Sequence, residues 1–283
     1  MSLSTLISTD ELQDRLSDRS VVVVDCRHEL SKPDWGLGEY LKNHIPGASF
    51  MHLDRDLAGP MNGRNGRHPL PDPSRFSLIL GLAGIRPSSD VVAYDGQGGM
   101  YASRLWWMLR HWFGHESAAV LDGGWDRWVA EGRPVSAEES NATMMQYPVK
   151  PVSEAVNAAY VLEHLGKPGM TLLDARAPDR FRGENETLDP VGGRIPGAKN
   201  RFFRDNLSPD GCFKSPEALR ADFSAATGNA PPAEVVHHCG SGVSACHNVL
   251  AMEIAGLKGS RLYAGSWSEW CSDPSRPVAR GPA

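Results

Sequence analysis

The stretch Glu234-Val235-Val236-His237-His238-Cys239-Gly240-Ser241-Gly242-Val243-Ser244-Ala245 decides how this chain is read. The apolar run Glu234-Val235-Val236-His237 predicts a buried strand, and the pattern from Ser244 to Ala255 predicts a helix. A cysteine between the two stands where backbone N–H groups converge, in the kind of crevice where open α/β sheets bind ligands. Gly240 and Gly242 let the loop curl so that the amides of Gly240, Ser241, Gly242, Val243, Ser244 and Ala245 form a candidate anion nest, backed by a helix N-terminus. Such a nest favours a thiolate, and the thiolate is the nucleophile. The plainer alternative is a structural cysteine packed as a small hydrophobe. Two glycines, two serines and no bulky side chain before Val243 argue for chemistry at Cys239.

Outward from this loop the same pattern recurs. Val21-Val22-Val23-Val24-Asp25 is echoed by Thr171-Leu172-Leu173-Asp174, and His44-Ile45-Pro46-Gly47-Ala48 by Arg194-Ile195-Pro196-Gly197-Ala198. Val91-Val92-Ala93-Tyr94-Asp95-Gly96 occupies the slot of Val235-Val236-His237-His238-Cys239-Gly240. Gly123-Gly124-Trp125-Asp126-Arg127-Trp128 answers Gly265-Ser266-Trp267-Ser268-Glu269-Trp270, and Arg133-Pro134-Val135 answers Arg276-Pro277-Val278. Echoes kept in this order predict two copies of one domain, over 1–138 and 153–283, joined by a linker at 139–152 where residues are small, polar or proline. In that alignment Asp95 takes the place of Cys239. A carboxylate can fill an amide nest, or act as an ordinary N-cap; either way the first copy lacks a nucleophile.

A chain of 283 residues suits two domains, each with its own core. A net charge of −5 gives no electrostatic reason to expect nucleic acid or an anionic membrane as partner. No apolar run approaches the length of a membrane span, and Met1 to Asp10 lacks a signal-peptide pattern, so a cytoplasmic protein is expected. Five cysteines without CxxC or zinc spacing read as reduced thiols, with no metal. Cys246 could resolve an oxidised Cys239, although a helix-buried cysteine is the simpler reading.

Short apolar runs alternate with helical patterns, which predicts parallel β-α units. The expected strands are Val21–Asp25, Val91–Asp95, Ala118–Leu121, Thr171–Asp174, Glu234–His238 and Arg261–Tyr263. The expected helices are Thr9–Ser17, Tyr101–Phe113, Trp125–Glu131, Ala155–Leu165, Pro216–Ala225 and Ser244–Ala255. The proline-rich stretches Gly59–Pro73 and Arg182–Pro190 read as long loops, which are often functional.

Tyr40-Leu41-Lys42-Asn43-His44-Ile45-Pro46-Gly47-Ala48, Tyr101-Ala102-Ser103-Arg104-Leu105-Trp106-Trp107-Met108-Leu109-Arg110 and Gly265-Ser266-Trp267-Ser268-Glu269-Trp270 together resemble the tandem-domain rhodanese superfamily of sulfurtransferases, over nearly the whole chain. The resemblance implies an α/β fold of two tandem rhodanese-like domains, each a mainly parallel sheet flanked by helices, with the catalytic cysteine in the C-terminal one. Thiosulfate-using members carry cations directly after the cysteine. Gly240 and Ser241 instead resemble the loop of the 3-mercaptopyruvate sulfurtransferase branch. That branch pairs its cysteine with a loop serine, a histidine and an aspartate, which fall here on Ser241, His68 and Asp54. By itself His68, in His68-Pro69-Leu70-Pro71, reads as a solvated loop histidine. Arg180 matches one of two substrate arginines, a residue type suited to carboxylates. The second should fall near position 189, where this chain has Asp189; Arg182 and Arg194 are candidate substitutes, or plain surface charges.

The implied chemistry is attack of Cys239 on a donor sulfur, from 3-mercaptopyruvate or alternatively thiosulfate, to give a persulfide. A thiol, thioredoxin or cyanide then removes the sulfur. The loop amides would stabilise thiolate and persulfide, Ser241 and His68 would move the proton, and neither metal nor organic cofactor is needed. A cysteine phosphatase would require an arginine where Ala245 stands. A non-catalytic sulfur carrier or binding module would not need the intact nucleophile loop.

Overall fold

The computed structural model describes Leu3 and residues 5–152 and 155–282; the domain boundary expected at 153 lies outside the described residues. The chain divides into two compact units, one made of Met1–Gly59, Leu70–Ser153 and Pro209–Phe213, the other of Pro60–Pro69, Glu154–Ser208 and Lys214–Ala283. Each takes a short piece of sequence from the other half. Residues 60–69, inside the first long loop, belong to the unit that carries Cys239.

The first unit runs β1 (Leu6–Ile7), α1 (Thr9–Arg15), β2 (Val21–Asp25), α2 (Trp35–Lys42), β3 (Ser49–Phe50), α3 (Pro73–Leu82), β4 (Asp90–Tyr94), α4 (Ala102–Trp107), β5 (Ala118–Leu121) and α5 (Gly124–Ala130). The second runs β6 (Ala155–Val156), α6 (Ala158–His164), β7 (Thr171–Asp174), α7 (Pro178–Arg182), β8 (Lys199–Asn200), α8 (Pro216–Thr227), β9 (Val235–His238), α9 (Ser244–Ile254), β10 (Arg261–Tyr263) and α10 (Ser266–Trp270). The sheets are ordered β1-β5-β4-β2-β3 and β6-β10-β9-β7-β8, the same order in both units. Every strand pair is parallel.

The central strands show why this architecture follows from the sequence. All of β9 is buried, as are Val91 to Tyr94 of β4. Parallel strands covered by helices on both faces need such continuous burial, which the apolar runs supply. Each unit then closes with one latch: the Trp128 indole N–H donates to the Pro134 carbonyl at 2.8 Å, and that of Trp270 to Pro277 at 2.9 Å. These contacts explain the paired Arg-Pro-Val echoes.

Several elements depart from the expected pattern. Ala155 and Val156 are an edge strand paired with β10 rather than the start of a helix. The Asn157 side chain accepts the Tyr160 N–H at 2.9 Å, and this N-cap delays α6 to Ala158. The helix expected over Tyr101–Phe113 begins at Ala102 and widens into a π-helical turn over Met108–Trp112. Asp95 and Glu234 fall outside their strands, the first because its carboxylate turns into the following loop. The two-residue strands and α2, α3, α7 and α10 were not expected; α2 contains Gly36 and Gly38, which weaken any helical signal. Among the described residues no helix is long and apolar enough to cross a membrane.

Candidate active site

The loop from Cys239 to Val243 joins β9 to α9, and Cys239 is 2% exposed. The Gly242 N–H donates to Cys239 Sγ at 3.2 Å. Gly242 has φ +78°, and a Cβ there would stand 2.2 Å from the Ala264 carbonyl oxygen, so this turn admits glycine alone. The loop also hangs on α10. Trp267 N–H donates to the Cys239 carbonyl at 3.0 Å and Ser268 N–H to that of Gly240 at 2.9 Å. Cys239 N–H donates to Ser266 Oγ at 3.1 Å, and that hydroxyl donates onward to the Tyr263 carbonyl at 2.9 Å. Ser266 holds this position with φ +55°, a region most side chains avoid.

The equivalent loop of the first unit is filled by a carboxylate. Asp95 Oδ1 accepts the N–H groups of Gln97 and Gly99 at 2.7 and 2.9 Å, and Oδ2 those of Tyr101 and Ala102 at 2.6 and 2.9 Å. Full burial raises its pKa against the pull of these amides. The loop therefore has its acceptor built in and carries no sulfur.

Beneath the Cys239 loop, Asp174 and Arg176 form a buried pair, with Nη2 to Oδ2 at 2.7 Å. Arg176 lies over the Trp267 ring at 4.9 Å from its centroid. His238 Nε2 is 3.7 Å from Asp174 Oδ2, yet burial lowers the histidine pKa more than this carboxylate raises it. The neighbouring His237 is pushed by burial to about 3. Both rings stay neutral at physiological pH.

His68 and Ser241, distant in sequence, meet in the second unit, with Nδ1 2.7 Å from Oγ and both residues buried. Asp54 belongs to the first unit. It follows β3, its N–H donates to His52 Nδ1 at 3.0 Å, and its side chain is 40% exposed. With His28 and His52 it forms a group whose potential ligand atoms lie within 4.8 Å of one another. The Asp54 N–H, however, already occupies the His52 Nδ1 lone pair.

Arg180, on α7, donates from Nη2 to Glu186 at 2.8 and 2.9 Å and lies 3.5 Å from Asp189 Oδ2. Glu186 is lowered in pKa: burial opposes ionisation, but Arg180 and backbone N–H groups outweigh it. Asp189 is raised by burial, with Arg67 working against the shift. Both suggested substitutes for an arginine at 189 have other partners. Arg182 is committed to Glu184 at 2.7 Å, and Arg194 to the Gly281 and Pro282 carbonyls at 2.6 and 2.9 Å. The sequence reading missed Arg67, whose guanidinium grips Asp189 through Nε and Nη2 at 3.0 and 3.2 Å. It also missed Ser266 and Ser268. Only the adjacency of Arg67 to His68 in a long loop could have flagged it. Ala245, where a phosphatase needs arginine, is buried in the first turn of α9. Cys246, also buried in α9, donates to the Gly242 carbonyl at 3.3 Å.

A cysteine loop of this build, at the C-terminal edge of a parallel sheet whose order is repeated in a second unit, defines the class. The chain belongs to the rhodanese-like domain family, whose model matches residues 8–131 and 157–273. It is 48% identical to a probable 3-mercaptopyruvate sulfurtransferase of Pseudomonas aeruginosa, across 99% of this chain and 100% of that protein. It is 38% identical to a thiosulfate sulfurtransferase of Bos taurus, across 82% and 78%. Among solved structures it resembles the 3-mercaptopyruvate sulfurtransferase from Leishmania major, with a TM-score of 0.83 and 28% identity over 94% of this chain and 74% of that one. SseA from Escherichia coli, solved as a 3-mercaptopyruvate sulfotransferase, gives 0.78 and 27% over 93% and 99%.

Proposed function

We propose that the protein is a sulfurtransferase that moves sulfane sulfur from 3-mercaptopyruvate to a thiol, thioredoxin or cyanide through a persulfide on Cys239. The observation that carries this reading is Cys239 itself, set in a tight loop between strand and helix beside the His68–Ser241 bond. The thiolate attacks the donor sulfur; the S–S bond forms as the C–S bond breaks. Pyruvate leaves as its enolate and takes up a proton, for which Ser241 and His68 are placed, with Asp54 assigned to the same relay by the family resemblance. An acceptor then attacks the outer sulfur and releases Cys239 as thiolate, a two-step covalent transfer. Arg180 is the candidate partner for the donor carboxylate. The amides of Gly240, Gly242, Val243, Ser244 and Ala245 are the candidates to hold the persulfide. Five buried cysteine thiols fit a reducing, cytosolic setting.

Incubation with 3-mercaptopyruvate or thiosulfate, followed by mass spectrometry, should show one added sulfur, confined to Cys239 and absent from Cys239→Ser. Cys246→Ser should keep most of the activity. Under subsaturating conditions kcat/KM should be larger for 3-mercaptopyruvate. Faster turnover of thiosulfate would favour the thiosulfate:cyanide reading, and absence of sulfur transfer from either donor would leave a carrier or binding role.

A further inference from the structure

We propose that Arg67 is a specificity-determining residue of the donor site, forming with Arg180 a two-guanidinium seat beside Cys239, and that Asp189 positions Arg67 and limits the charge the seat accepts. The proposal rests on the sulfurtransferase reading above and assigns the donor's anionic end to particular side chains.

The placement comes from Gly240, the residue after the nucleophile. A Cβ built there would stand 2.7 Å from Arg67 Nη2 and 3.5 and 3.6 Å from Arg180 Nη1 and Nη2. Both guanidinia therefore cover the face of the loop next to Cys239. This is also why the loop itself carries no cation at 240: that space is taken by an arginine arriving from residues 60–69. Arg67 is anchored at both ends, since its backbone N–H donates to Ser268 Oγ at 3.0 Å and its side chain grips Asp189.

Accessibility separates the cations from their counterions. The Arg67 and Arg180 side chains are 22% and 21% exposed, whereas those of Asp189 and Glu186 are 2% and 4% exposed. The carboxylates are closed off from solvent, and the guanidinia present their remaining N–H groups. Arg67 uses Nε and Nη2 on Asp189, and a guanidinium has five donors, so Nη1 is available to a second anion. The formal charges of Arg67 and Arg180 are balanced by those of Asp189 and Glu186. Such a seat suits one carboxylate and discriminates against a dianion such as thiosulfate. Asp189, which breaks the expected pattern at its own position, thus has a role: the cation expected there is delivered by Arg67, and the acid orients it.

The test separates cation from buried acid by comparing Asp189→Asn with the double variant Arg67→Met plus Asp189→Asn, neither of which leaves Asp189 ionised and unpaired. The probes are iodoacetate and iodoacetamide, one anionic and one neutral, with the rate of Cys239 alkylation as readout. The double variant should lose about tenfold in the iodoacetate-to-iodoacetamide ratio, equivalent to about 1.4 kcal/mol, while the iodoacetamide rate changes less than about twofold. Its KM for 3-mercaptopyruvate should rise by a similar factor. Asp189→Asn alone should raise thiosulfate turnover relative to 3-mercaptopyruvate. An unchanged alkylation ratio in the double variant, or a fall in relative thiosulfate turnover in Asp189→Asn, overturns the proposal. Because alkylation needs no sulfur donor, failure of the sulfurtransferase reading would appear separately, as no persulfide from either donor in the unmodified protein.

Discussion

His68 Nδ1 lies 2.7 Å from the hydroxyl of Ser241, a contact that spans 173 positions of sequence and brings a buried imidazole within two residues of Cys239. If this pair carries the proton for the departing enolate, either partner alone is useless. His68→Gln and Ser241→Ala should each lower kcat about 100-fold, the scale of general acid–base assistance. The double variant should be little worse than either single one, because members of a unit are not additive. Cys239 alkylation by iodoacetamide should stay within about twofold. Independent, multiplying losses in kcat would show that the two residues do not work together.

Asp95 predicts the opposite pattern, loss of stability without loss of chemistry. Its two oxygens satisfy four N–H groups, three of them in buried hydrogen bonds. Asp95→Ala leaves those donors without an acceptor and should cost about 2–4 kcal/mol. Asp95→Asn should cost less, since one acceptor remains. Urea unfolding against turnover per folded molecule distinguishes this from a catalytic role, in which turnover would fall while the urea midpoint stayed put.

The fold and the cysteine loop were legible for different reasons. The central strands are buried on both faces, and their apolar runs Val91 to Tyr94 and Val235-Val236 announce a parallel sheet without help from their neighbours. The edge strands β1, β3, β6 and β8 are two residues long and leave no periodicity to read. Cys239 was legible because a short local pattern of strand, glycines and helix defines its surroundings. Arg67 was not, because its role depends on Asp189 and Gly240, more than 100 residues away, and no local pattern encodes that meeting. Asp189 read alone counts against an anionic donor; beside Arg67 it is the group that aims a cation.

Ser266 and its counterpart Gly124 share φ +55°, but only Ser266 has a hydroxyl to hold the Cys239 N–H and the Tyr263 carbonyl. The left-handed conformation costs a non-glycine residue about 1–2 kcal/mol, and each lost hydrogen bond about 1 kcal/mol. Ser266→Ala keeps the strain and loses both bonds, whereas Ser266→Gly loses the bonds and relieves the strain. Ser266→Gly should therefore be about 1 kcal/mol more stable than Ser266→Ala in urea unfolding. The reverse order would mean that the backbone there is not strained.

His237 should make the protein sensitive to mild acid. Burial holds its folded-state pKa at about 3, with the neighbouring His238 pushing in the same direction. Its Nε2 faces Met252 Sδ at 3.1 Å, and its ring meets Phe223 edge-on, partners that do not welcome a proton. Above the unfolded-state value of about 6.5 both states are neutral and the histidine has no effect. Below it the unfolded chain takes up a proton that the folded chain refuses, so stability falls with pH by about 1.4 kcal/mol per unit. His238, lowered chiefly by burial, acts with the same sign. Between pH 7.5 and 5 the urea midpoint should drop before the buried Asp174, whose burial is outweighed by the adjacent Arg176 so that it stays below the usual carboxylate range, takes up a proton. His237→Leu should remove about one proton's worth of that slope. A midpoint that is flat down to pH 5, or a slope unchanged in His237→Leu, would show that the ring is protonated in the folded protein.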